Sequence, residues 1–135
     1  MSTTAWIRPL TEAVDGLPAP KDVRGSACRT LQGLFTEWAA ALGFPDYFGG
    51  TWDAFRDCLT DTVLDAYPHT TVVLREAGEL LVDEPENVLT VLLEILGEAA
   101  GEGNARVTAP RLLLLLDDTP DGLAHLTVRL AHAKR

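Results

Sequence analysis

Five consecutive leucines, Leu112–Leu116, stand between Arg111 and Asp117. The run is far shorter than the roughly 20 apolar residues of a membrane span. With no polar residue to mark an exposed side, it has the length and texture of a strand buried on both faces, the kind found inside a parallel sheet covered by helices. Thr70–Leu74 is a β-branched run that reads as another strand, and Ala5–Leu10, closed by Pro9, as a short first one. Helical segments separate them. Leu31, Leu34, Phe35, Trp38, Ala39 and Leu42 recur at helical spacing, which predicts a helix over Ser26–Leu42 with Ser26 as N-cap and Gly43 as its stop. Gly49-Gly50-Thr51 opens a second helix with Thr51 as N-cap, and Trp52, Phe55, Leu59 and Val63 fall on one side of it. Asp83 is the expected cap of a third, with Pro85 in its first turn and Glu86 at capping-box spacing; Gly101 and Gly103 end it. Asp15–Gly25 reads as a loop. Beyond the polar Asp117–Gly122 loop, Leu126, Val128 and Leu130 alternate with polar residues, which predicts a half-exposed edge strand. The expectation is one α/β domain with a mainly parallel sheet, the 135 residues being the length of a single domain.

Charge narrows the function. Twenty acids against eleven bases leave −9, which argues against a nucleic-acid binder, because phosphate contacts need a basic face. The excess is concentrated: Glu76–Glu102 holds eight acids and no base. Basic proteins or cations are the expected partners, although an acidic face also serves solubility. No apolar run is long enough to enter a membrane, and Met1–Leu10 lacks the basic-then-apolar order of a secretory signal. Cys28 and Cys58 are too few for a disulfide scaffold, and neither has metal-ligand spacing to His69, His125 or His132. Two reduced thiols in a cytoplasmic protein are expected.

Within the second helix Asp53, Asp57 and Asp61 lie four residues apart. Each step rotates them only about 40°, so the carboxylates form a stripe roughly opposite Trp52, Phe55 and Leu59. Like charges at this spacing destabilise a helix by a few tenths of a kcal/mol per pair, which suggests use. Such a stripe could grip Mg²⁺ in a metal-dependent enzyme, but that needs ligands from another element and a substrate pocket, and no second acidic cluster matches it. It could instead meet the basic cleft of a protein, with fast, steered association.

The segment Phe44-Pro45-Asp46-Tyr47-Phe48-Gly49-Gly50-Thr51-Trp52-Asp53-Ala54-Phe55-Arg56-Asp57-Cys58-Leu59-Thr60 resembles the signature of the barstar family, intracellular inhibitors of secreted guanyl-specific ribonucleases. The resemblance covers roughly residues 5–117, with 118–135 as an extension. It implies a small parallel sheet of about three strands packed with helices, to which the alternation over Leu126–Leu130, past the family's usual end, would add the C-terminal edge strand. It also implies a 1:1 complex with a basic secreted ribonuclease, with no catalysis, cofactor or metal. Carried over by position, Tyr47, Gly49, Asp53, Ala54, Asp57 and Thr60 lie on the inhibitory surface. Asp57 matches the aspartate that takes the phosphate site of the enzyme, and Asp53 an acid beside it. Glu94 matches a further interface acid. Thr51 stands where the family has asparagine, and both can cap. Arg56 replaces an aromatic on the flank of the interface and brings a positive charge towards a cationic partner, with Asp53 or Asp57 at hand to neutralise it. Cys58 matches a family cysteine. The alternatives are an immunity or regulatory module for another basic protein, and the metal enzyme that would use Asp53, Asp57 and Asp61.

Overall fold

Two apolar runs form the middle of a four-stranded parallel sheet. The computed structural model describes residues 6–10, 20–45, 48–66 and 69–133. Strands β1 (Ile7–Pro9), β2 (Lys21–Arg24), β3 (Thr70–Arg75) and β4 (Leu112–Asp117) lie in the order β1-β4-β3-β2. Every pairing is parallel, with Val72 beside Leu114, Leu74 beside Leu116 and Val23 beside Leu74. Leu112–Leu116 are all buried, as their unbroken apolar texture requires. Helices α1 (Leu31–Leu42), α2 (Trp52–Asp65), α3 (Glu86–Ala100) and α4 (Pro120–Ala133) complete the domain. Their apolar faces share one core with Val23, Val72, Leu74, Leu112, Leu114 and Leu116. Among the described residues no helix is long and apolar enough to cross a membrane.

The α/β class and parallel sheet follow the expectation, but the additional strand is elsewhere. Residues 126–130 are helical, inside α4, and not the C-terminal edge strand that alternation implied. Leu123, Leu126, Leu130 and Ala133 also have helical spacing, and this is the set that turns to the core, while Val128 is exposed. The start of α4 decides between the two patterns. Thr119 accepts the Gly122 N–H at 3.1 Å, and Pro120, which has no N–H to leave unsatisfied, follows in the first turn. The fourth strand is β2, in the stretch expected to be a loop, where only Val23 is buried.

Two caps also differ. Gly25–Ala27 form a turn of 3-10 helix, and α1 is capped by Thr30, which accepts the Gly33 N–H at 3.1 Å, not by Ser26. Ser26 instead donates to the Glu76 carboxylate. The cap position of α3 is Pro85, not Asp83, whose carboxylate is 3.1 Å from Arg29 Nε. Gly43 and Gly101 end α1 and α3 as expected, with φ of 72° and 95° in the left-handed region.

Candidate functional site

Helix α2 is built with an inside and an outside. The chain turns into it through Gly50, at φ 72°. Thr51 then accepts the Ala54 N–H at 3.1 Å, which is the expected N-cap. Inward, Phe55, Cys58, Leu59 and Val63 are buried. Phe55 lies within 5.5–5.9 Å, centroid to centroid, of the rings of Phe35, Trp38, Phe44 and Trp52. These aromatics fix the rotation of α2 about its axis, and so decide which residues face water.

Outward, Gly49, Thr51, Asp53, Arg56, Asp57, Thr60 and Asp61 are exposed and Ala54 is half-buried. Tyr47 lies outside the described residues. A groove of about 900 Å³ between α1 and the loop ahead of α2 adjoins this face, lined among others by Gln32, Phe35, Thr36, Phe44, Phe48 and Gly49. Leu64, 60 % exposed, continues the same face. Its spacing from Asp53, Asp57 and Thr60 (i, i+4, i+7, i+11) was the available signal for it.

The acids on this helix differ from those elsewhere in how their charge is used. Arg29 lies 2.6 Å from Glu79 and 3.1 Å from Asp83, Arg24 lies 3.5 Å from Glu76, and Arg75 bridges Asp22 and Asp117. Glu84 accepts the Leu31 N–H at 2.8 Å, at the N-terminus of α1, where the helix dipole favours an anion. Much of the acid-rich Glu76–Glu102 segment is thus engaged within the fold. Among the described residues no ion pair involves Asp53, Asp57 or Asp61, so their charge faces solvent unshared. They run along the helix, and no three His, Cys, Asp or Glu side chains converge to hold a metal among the described residues.

Arg56 does not pair with Asp53 or Asp57. Its Nε lies 3.2 Å from Glu98 on α3. Glu94 lines a different groove, with Trp6, Ile7, Leu93, Thr127 and Leu130. The α3 acid that reaches α2 is therefore Glu98, one turn beyond the residue singled out from sequence, and its position at i+4 from Glu94 was the only hint.

Cys28 and Cys58 are both free and buried. Burial, helped by the nearby Glu37 carboxylate, pushes the Cys28 thiol up to about 12. Burial also raises Cys58, with Asp61 and Asp57 adding to the effect. Both are therefore poor nucleophiles near neutrality. For Cys28 the sign is clear: above the ordinary thiol value of 9.0 the unfolded chain loses a proton that the folded chain keeps until about 12. Its contribution to stability is complete below 9.0 and is lost as pH rises towards about 12. Chemical denaturation at about pH 8 and about pH 10.5 should show a steeper alkaline loss for the intact chain than for Cys28→Ala, by up to about 1.4 kcal/mol per pH unit. Equal slopes would remove Cys28 as the cause.

A protein-family model described as Barstar (barnase inhibitor) matches residues 20–115, more than half of the chain, from just before β2 into β4 and including all of α2. No curated protein matches the chain.

Proposed function

Because the chain belongs to the barstar family, we propose that it inhibits a basic, guanyl-specific ribonuclease by seating the outer face of α2 and the preceding loop in the enzyme's active-site cleft. The observation that carries this reading is the contrast among the acids. Those of the Glu76–Asp83 stretch are largely spent inside the fold, whereas Asp53 and Asp57 stand exposed and unpaired on a helix whose rotation is locked by buried rings. A ribonuclease cleft is a set of cations arranged to bind a phosphodiester. The Asp57 carboxylate supplies a fixed anion of comparable charge at the phosphate position, and Asp53 meets the neighbouring cations. Exposed Gly49 allows the partner to approach the backbone closely. Thr51, Ala54 and Thr60 offer small, partly polar contacts around the anions.

Inhibition of this kind is occupancy and involves no chemistry by the chain itself, no cofactor and no metal. Rigid display keeps the ordering cost of binding low, and the uncompensated charge on α2 speeds encounter with a basic enzyme. Two reduced, unreactive thiols suit a cytoplasmic location, where such an inhibitor would protect a cell from a nuclease destined for export. Calorimetry against a panel of secreted guanyl-specific ribonucleases, barnase among them, tests the proposal. One-to-one binding with loss of RNA cleavage is expected from at least one member. Binding to none, with tight binding to some other basic protein, would replace the ribonuclease with a different target.

A further inference from the structure

We propose that the Arg56–Glu98 pair selects among basic partners, accepting one that presents a carboxylate opposite Arg56 and rejecting one that presents a cation there. The inference rests on the inhibitory reading of α2 and adds to it a rule for which nuclease fits. Arg56 is the only base in α2, among Asp53, Asp57, Asp61 and Asp65. Left to the helix alone it would fold back on Asp53, three residues away, as opposite charges at i, i+3 do. It is instead drawn to Glu98 on α3, at 3.2 Å, through Nε.

Two consequences follow from that geometry. Asp53 keeps its full negative charge for the partner. The Arg56 side chain, about half exposed, is also held at the border of the acidic face, where the planar fork of its guanidinium is within reach of a partner. That fork matches a carboxylate bidentately, which lysine at the same position would not do. Glu98 is itself placed at a local cost. It lies in the last turn of α3, where the helix dipole disfavours an acid, and the bridge to Arg56 offsets this. A cation of the partner facing Arg56 would be repelled as both surfaces lose water, so the residue excludes as well as attracts. Glu98 is a positioning residue: it acts through Arg56.

The probe is the ribonuclease of the panel that the intact chain inhibits most tightly, with barnase as reference. Arg56→Gln should weaken binding to it about tenfold or more, with a loss that shrinks as salt rises. Glu98→Gln should weaken binding several-fold by freeing Arg56 to cover Asp53, and should add nothing in the Arg56→Gln background. Replacing the acidic surface residues of the ribonuclease with their amides, one at a time, should find one whose loss costs as much as Arg56→Gln and is silent in that variant. A pair that merely staples α2 to α3 would instead lower the melting temperature in both variants and leave affinity unchanged. Arg56→Gln binding within about twofold of the intact chain, or more tightly, overturns the selection rule. If Asp57→Ala is then still damaging, the inhibitory face stands without it; if Asp57→Ala is equally harmless, that reading fails as well.

Discussion

Asp57→Ala should raise the inhibition constant by at least about 30-fold, while Asp61→Ala should change it by less than about fivefold, on the scale of 1.4 kcal/mol per decade. Both carboxylates are exposed on the same helix and neither has an ion-pair partner among the described residues. Their difference is one of direction. Asp57 lies between Asp53 and Ala54 around the helix, at the middle of the face carried over from the family. Asp61 is rotated about 80° from Asp53 and one turn farther from the loop that precedes α2. In the complex Asp57 would be desolvated against cationic groups. Removing one partner of such a pair costs about 2–5 kcal/mol or more; barstar is itself one of the systems from which that range is drawn, so the magnitude belongs to the family and the asymmetry to this chain. Folding should be indifferent to both substitutions, or slightly improved, because each relieves repulsion at i, i+4. Titrating RNA cleavage with each variant, alongside thermal melts, checks the prediction. Equal, small effects would mean that the acidic stripe is only surface.

Phe55→Ala should cost about 3–5 kcal/mol of stability, a large part of the total for a domain of this size. Phe55 is completely buried and is the ring against which Phe35, Trp38, Phe44 and Trp52 all pack, at centroid distances of 5.5, 5.8, 5.9 and 5.9 Å. Its loss opens a cavity at the meeting point of α1, α2 and the intervening loop, and removes edge-to-face contacts worth more than their area alone. Phe55→Leu, which leaves a smaller void, should be markedly milder. The shift in urea midpoint at constant slope measures the effect. A loss below about 1 kcal/mol would show that the neighbouring rings close over the gap, and that some other contact sets the rotation of α2.

How far the sequence could be read depended on whether local signals agreed with each other. Thr70–Leu74 and Leu112–Leu116 could hardly be anything but interior strands, because each is uniformly apolar or β-branched and short. The N-cap of α2 was equally plain, since Gly50 and Thr51 supply both the turn and the acceptor. Lys21–Arg24 gave no warning of a strand: it has one buried side chain, and its extended form comes from pairing with β3, about fifty positions later. Ser26 and Asp83 looked like caps and were taken by Glu76 and Arg29, partners that only the fold brings near. Leu126–Leu130 satisfied two periods at once, and the Thr119-Pro120 start broke the tie. On the candidate face, the stripe itself could be read from spacing, while the diversion of Arg56 to Glu98 could not, since it spans two helices.

The additions that flank the family-matched segment have a bearing on solubility. Residues 20–115 contain β2, β3 and most of β4, and in that order β4, with its five leucines, would be a sheet margin whose unpaired backbone groups invite strands from other molecules. β1 lies against it, with Ile7, Arg8 and Pro9 beside Leu114, Leu115 and Leu116. The new margin is only three residues long and ends in a proline that has no N–H to offer a further strand. At the opposite margin β2 is short and carries Lys21, Asp22 and Arg24, which discourages stacking by charge. A chain whose most apolar strand is a pure leucine run thus keeps it sealed between blunt borders, and trimming it back to the matched segment would unseal it and favour aggregation.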